Sequence, residues 1–211
     1  MNKMCNEIAE LVQKGKSRDI QNAVTEALTN GISSQEILDA LSYGMNEIGI
    51  KFKNEEIFVP EVLMASRAFT KGTEILKPIL VKDGINPIGK AVICTVKGDM
   101  HDIGKNLVKM MLEGKGIECI DLGTDCEPEK IVQTVKETGA KIVCLSALLT
   151  TTMVNQKAVI DALIKADLRD KVTVMVGGAP VSAEYAEEIG ADIYTKSGTD
   201  AAIEAEKILV I

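Results

Sequence analysis

Tryptophan is absent from this chain of 211 residues, and phenylalanine and tyrosine occur three times each. A core must therefore be packed from Ile, Leu, Val, Met and Ala, and every aromatic position is worth locating. Histidine occurs once, at His101. Cys5, Cys94, Cys119, Cys126 and Cys144 are odd in number and form no C-x-x-C, which argues against a disulfide frame or a zinc site. Cys94 and Cys144 fall inside apolar runs and read as small buried hydrophobes of a reducing compartment. No apolar run reaches the roughly 18 residues that a membrane span needs, and the N-terminal residues carry no signal core, so the expected location is cytoplasmic with no membrane partner. Basic residues are scattered in a chain of net charge −7, which argues against a nucleic-acid partner.

What the chain does have is helical periodicity up to about Val81. Ile8, Leu11 and Val12 form one apolar stripe, Ile20, Val24 and Leu28 a second, and Ile37, Leu41, Met45 and Ile48 a third. Lys14-Gly15-Lys16-Ser17 separates the first two helices, and Gly31 ends the second. Ser33 or Ser34 can cap the third, with Glu36 in its first turn. A connection over 52–60 precedes a fourth helix carrying Val62, Leu63, Ala65, Phe69, Ile75 and Leu76, where Pro60 suits the first turn. Short connections between four helices predict an antiparallel bundle over 1–81. Two of the three phenylalanines, Phe52 and Phe58, lie in the last connection, as a core staple or as an apolar lid for a flat ligand.

A linker over 82–89, with two glycines and Pro87 and no apolar period, marks the domain boundary. Beyond it strands near 91–96, 117–121, 141–146, 172–176 and 191–194 alternate with helices near 104–114, 128–138, 152–167, 182–189 and 199–208. Continuous apolar strands in βα alternation predict a five-stranded parallel sheet covered by helices on both faces, one doubly wound α/β domain of about 120 residues over 90–211. Loops at the carboxyl edge of such a sheet hold its ligands. Here they are Gly98–Gly104, 121–124, 146–152 and 177–180.

The first of these loops carries the lone histidine in Lys97-Gly98-Asp99-Met100-His101-Asp102-Ile103-Gly104-Lys105-Asn106. A phosphate loop needs four residues between its glycines and a Ser or Thr after the lysine; here there are five, and Asn106 follows. No G-x-G is present for a dinucleotide. Asp99 and His101, two apart on an extended loop, project to the same side, so the carboxylate can accept from one ring nitrogen and leave the other free, as behind a metal-ligating histidine. With no second histidine and no nearby cysteine, a free ion would be poorly held, and the metal should arrive in a macrocycle.

These residues resemble the cobalamin-binding module of methionine synthase and, more closely, the stand-alone corrinoid proteins of methylamine, methanol and quaternary-amine methyltransferase systems. The likeness rests on Asp99-x-His101-x-x-Gly104, on Ser146-x-Leu148 and on Gly177-Gly178, each after a strand, and extends over the helical part. It implies a helical cap bundle followed by a Rossmann-like (flavodoxin-like) α/β domain that binds cobalamin. His101 would be the lower cobalt ligand, displacing the cofactor's own base, with Asp99 tuning it. Gly104 would allow close approach of the chain to the corrin, and Gly98, Met100, Ile103 and Leu148 would be further cofactor-binding residues. Ser146 and Thr150 would hydrogen-bond the base of the displaced nucleotide tail, Gly177 and Gly178 would let it pass, and Thr152 would extend the His–Asp pair. Phe52, Val59 and Val62 would cover the corrin's upper face, which makes the aromatic connection a lid.

The implied role is a methyl carrier. Cobalt(I) takes a methyl group from a substrate-specific methyltransferase, and methylcobalt(III) is presented to a second methyltransferase acting on tetrahydrofolate or a thiol, with a reductive activator as a further partner. A carrier of this kind would hinge at 82–89. The chain has no room for a substrate barrel of roughly 250 residues and reads as a subunit of a methyltransferase system, not a complete enzyme. The alternative is a cobalamin-sensing regulatory module, but the bundle offers no basic recognition helix. A mutase subunit would share the histidine motif without needing the cap.

Overall fold

The computed structural model describes residues 2–210 and divides into two compact units, Met1–Pro87 with Gly114–Gly116 and Ile88–Glu113 with Ile117–Ile211. The first holds four helices: α1 (Lys3–Gln13), α2 (Asp19–Thr29), α3 (Ser34–Lys53) and α4 (Val59–Lys82). Ser33 is the cap of α3. Its hydroxyl accepts from the Glu36 N–H, while the Glu36 carboxylate accepts from the Ser33 N–H, a reciprocal box that satisfies two free donors of the first turn. The Ser34 hydroxyl donates to Asp83, just past the end of α4, at 2.5 Å, which ties the start of one helix to the end of the other. The apolar stripes meet in a core of Ile8, Val12, Ile20, Val24, Ile37, Leu41, Met45, Val62 and Leu76, all at most 1% exposed. α1 crosses α3 so closely at Gly44 that a Cβ there would lie 2.6 Å from the Ala9 carbonyl oxygen.

Three local details differ from the periodicity. Ala27, not Leu28, joins Ile20 and Val24 as the buried residues of α2, and Leu28 is half-buried. Leu63 faces outward at 45% exposure. α3 runs on through Phe52 to Lys53, so Phe52 sits in its last turn and not in the connection; Lys51 and Lys53 complement the negative end of the helix there.

The second unit is built as β1 (Gly89–Thr95), α5 (Ile103–Gly114), β2 (Ile117–Asp121), α6 (Pro128–Thr138), β3 (Ile142–Ser146), α7 (Thr150–Lys165), a single 3-10 turn (Arg169–Lys171), β4 (Thr173–Gly177), α8 (Ala183–Ile189), β5 (Ile193–Tyr194) and α9 (Gly198–Leu209). All pairings are parallel and the strand order is β2-β1-β3-β4-β5. This is the flavodoxin-like order, in which the chain reverses direction across the sheet between β1 and β3 and opens a crevice at their carboxyl ends. Thr95, Ser146 and Gly177 stand level there across β1, β3 and β4.

One face of the sheet packs Val92, Cys94, Val96, Val143, Leu145, Val174 and Val176 against Ile131 and Val135 of α6, Val159, Ile160 and Leu163 of α7, and Ile189 of α8. Burying such side chains stabilises the fold by about 1.5–3 kcal/mol each. All five cysteines are free thiols, and burial pushes Cys144 up to about 12, as suits a small core residue. Among the described residues no helix is long and apolar enough to cross a membrane.

Candidate functional site

β1 is buried from Ala91 to Thr95 and delivers the chain to the crevice, where the segment 97–102 has no ladder of its own. Backbone groups in and beside it are instead tied individually to neighbouring loops and side chains. The Val96 N–H donates to the Ser146 carbonyl at 3.0 Å, and the Lys97 carbonyl accepts from the Asn155 side-chain amide at 2.8 Å. The Gly98 N–H donates to the Asp125 carboxylate at 2.7 Å, and Gly98 itself adopts a left-handed φ of 79° that a side chain would strain. The Asp99 carbonyl accepts from the Asp125 N–H at 3.0 Å, and the His101 carbonyl accepts from the Thr95 hydroxyl at 2.8 Å.

Asp99 is fully buried, and both its oxygens are occupied. Oδ1 accepts from the His101 N–H at 3.0 Å and from the His101 ring Nδ1 at 2.7 Å. Oδ2 accepts from the Leu148 N–H at 2.8 Å and from the Thr152 hydroxyl at 2.6 Å. Burial alone would push this carboxyl up, but the donors from Thr152, Leu148 and His101 outweigh it and hold Asp99 well below the usual carboxylate range. An ionised Asp99 can only accept, so the imidazole carries a proton on Nδ1, and the tautomer this selects leaves the lone pair on Nε2. The ring is half-exposed, and Nε2 has no hydrogen-bond partner among the described residues. The site is thus one outward-facing nitrogen on an imidazole locked from behind.

Around His101 lie exposed apolar side chains, Met100 at 70% on its own loop and Ile103 at 68% at the start of α5, with Leu148 at 42% on the loop after β3. Gly104 is exposed in the first turn of α5. Ser146 ends β3 half-buried, Thr150 is exposed at the start of α7, and Thr152 is buried one residue pair further on. The two glycines after β4 differ. A Cβ at Gly178 would lie 1.7 Å from the Ala147 carbonyl oxygen, so the fold itself demands glycine there. At Gly177 the nearest atom would be the Thr195 carbonyl oxygen at 3.9 Å, and at Gly104 nothing lies within 4 Å. Phe52 and Val59 are half-buried and Val62 is fully buried, all three in the helical unit, in the last turn of α3 and the first turns of α4; Phe58, at 68% exposure, is no core residue.

A second polar cluster escaped the sequence reading. Lys105, whose side chain is only 2% exposed, donates to both Asp121 oxygens at 2.7 and 2.8 Å and to the Asn106 side-chain oxygen at 2.7 Å. Asp121 also accepts from the Gly123 N–H at 2.9 Å and lies 3.3 Å from Lys109. Burial pushes the Asp121 carboxyl up, yet the Lys105 and Gly123 donors and the two lysine charges bring it below its ordinary value. The lysine that follows Gly104 is therefore anchored to the end of β2. It lies in the first turn of α5, whose other buried side chains, Met111 and Leu112, are apolar.

Residues 89–206 match a family model described as a B12 binding domain, and residues 4–77 match a second model of the same description. The chain belongs to the B12-binding corrinoid proteins. This corrinoid protein is 39% identical over 208 residues to a dimethylamine corrinoid protein of Methanosarcina barkeri, covering 98% of this chain and 97% of that one. It is 40% identical over 188 residues to trimethylamine corrinoid protein 1 of Methanosarcina acetivorans, covering 88% and 87%. Among solved structures it is similar to a chain of the methanol:cobalamin methyltransferase complex MtaBC from Methanosarcina barkeri, with a TM-score of 0.88 and 29% identity over 99% of this chain and 80% of that chain.

Proposed function

We propose that this corrinoid protein holds cobalamin with His101 as the lower axial ligand and works as a methyl carrier. Its partners are a substrate-specific methyltransferase for a methylated amine, a quaternary amine or methanol, a second methyltransferase acting on tetrahydrofolate or a thiol, and a reductive activator. The observation that carries this reading is the outward Nε2 of a ring whose Nδ1 is fixed on a buried carboxylate.

The residues fit such a group. Among the described residues no cluster of three or more His, Cys, Asp or Glu could hold a bare ion, so a lone imidazole suits a metal whose other ligands come with it in a macrocycle. Gly104 and Gly177 are open positions that the fold does not require to be glycine, which is expected where a ligand comes close to backbone. Met100, Ile103 and Leu148 offer apolar surface beside the ring.

The corrinoid, when bound, supplies a cobalt that takes a methyl group from one partner and releases it to the next. The protein's part is to hold that centre and tune it. Asp99 fixes the tautomer of His101, orients the ring and raises the basicity of Nε2. Thr152 and the Leu148 N–H keep Asp99 ionised and stationary. Ser146 and Thr150, at the carboxyl end of β3 and the start of α7, would hydrogen-bond the displaced base.

Cobalamin added to the purified cofactor-free protein tests this by visible absorption. The reading expects the cofactor's own base to leave cobalt and His101 to replace it, with His101→Ala losing both the spectral change and most of the affinity. An unchanged base-on spectrum, or unaltered binding in His101→Ala, would overturn it. The carrier role is tested by methyl transfer across candidate methyltransferases, and transfer with none of them would count against it.

A further inference from the structure

We infer that Asp125, on the loop between β2 and α6, is a positioning residue that fixes the His101 loop in its ligating form. The inference rests on the corrinoid reading for its purpose and on the cofactor-free geometry for its substance. Asp125 grips the loop at two successive residues: its carboxylate accepts the Gly98 N–H at 2.7 Å, and its own N–H donates to the Asp99 carbonyl at 3.0 Å. Those two bonds bracket Asp99, the residue whose carboxylate aims the imidazole. Asp125 makes this double contact from a left-handed φ of 52°, a conformation that few residues other than Gly, Asn and Asp take. The next residue, Cys126, pairs with Val96 in an isolated parallel bridge and donates its N–H to the Thr95 carbonyl at 3.1 Å, so the clamp is seated on the end of β1.

The consequence is preorganisation. A loop without regular structure samples other backbone arrangements, and a ligand that needs one arrangement binds more weakly in proportion to its population. Asp125 is itself exposed, and its bonds to the loop go to Gly98 and Asp99, so it acts through those two residues. It differs in this from Thr152, which touches the Asp99 carboxylate directly.

Two substitutions separate its functions. Asp125→Asn keeps an acceptor oxygen and tolerates the left-handed backbone, whereas Asp125→Gly keeps the backbone conformation and removes the acceptor. In the cofactor-free protein the Gly98 amide should exchange with solvent about tenfold faster in Asp125→Gly and close to the native rate in Asp125→Asn, because only the first removes its partner. With cobalamin, Asp125→Gly should bind about tenfold more weakly and leave a larger fraction of the cofactor with its own base on cobalt, while Asp125→Asn restores the native spectrum and affinity. Thermal melting of both variants controls for a general loss of stability. Native Gly98 exchange in Asp125→Gly, or native affinity and spectrum in that variant, would overturn the inference. If the unmodified protein itself keeps the base-on spectrum, the ligation reading fails, and the Gly98 exchange still decides whether Asp125 orders the loop.

Discussion

Thr152→Val removes one donor from Asp99 and almost nothing of the side chain's shape. In the native protein the fully buried carboxylate has four donors, two on each oxygen, and the Thr152 hydroxyl supplies the shortest bond at 2.6 Å. A hydrogen bond to a charged group contributes about 1.5–3 kcal/mol, and here the lost donor leaves a buried charge under-satisfied, so the cofactor-free variant should lose about 2–3 kcal/mol near neutral pH. Thr152→Ser keeps the hydroxyl and removes only a buried methyl group, which costs about 1 kcal/mol. The two variants therefore rank by chemistry and not by size. With no tryptophan in the chain, urea unfolding is best followed by far-UV circular dichroism. If Thr152→Val matched the native protein within about 0.5 kcal/mol, or if serine proved more damaging than valine, packing would explain the residue and the network argument would fail.

The Lys105–Asp121 pair makes a pH-dependent prediction. Lys105→Met leaves Asp121, 22% exposed, with the Gly123 N–H and Lys109, so the cost near pH 7 should be about 2–3 kcal/mol, below the 3–5 kcal/mol typical of a fully buried pair. Because the folded-state pKa of Asp121 is depressed, its stabilisation is present above the unfolded value of about 3.9 and is lost as pH falls through the folded value. Lys105→Met raises that folded value, so the stability gap from the native protein should be widest near neutrality and narrow below about pH 4; a gap independent of pH would contradict the assignment. The paired glycines should part company. Gly178→Ala drives a Cβ into the Ala147 carbonyl at a φ of 133° and should prevent stable folding, whereas Gly177→Ala should melt within about 0.5 kcal/mol of native and weaken cobalamin binding. A Gly178→Ala protein with native melting would refute the close approach.

The sequence made the helices and strands legible because their apolar spacing and caps are local. Ser33 with Glu36, Pro60 at the start of α4 and the β-branched run of β1 each announce an element within a few residues. The end of α3 was harder, since Phe52 carries no periodic signal that separates a last helical turn from a loop. The fourth helix also contains Pro78, which a local rule would count against it; one missing N–H near the C-terminal end is outweighed by the packing of Phe69 and Leu76. In the site, Asp99 and His101 were visible because they are two residues apart. Their supports were not: Asp125 is 27 residues from Gly98, and Asn155 is 58 residues from Lys97. Such pairs meet only because β1 lies between β2 and β3, and a strand order is not written in the neighbourhood of any one residue.

Having a single histidine makes the central claim open to an isotope experiment. Protein grown on 15N-labelled histidine and loaded with cobalamin reduced to the paramagnetic cobalt(II) state reports its axial nitrogen through the superhyperfine splitting in electron paramagnetic resonance. If His101 is the lower ligand, labelling converts the triplet of a 14N donor into a doublet. A triplet that survives labelling would mean that the cofactor's own base still holds the cobalt, and would contradict the account.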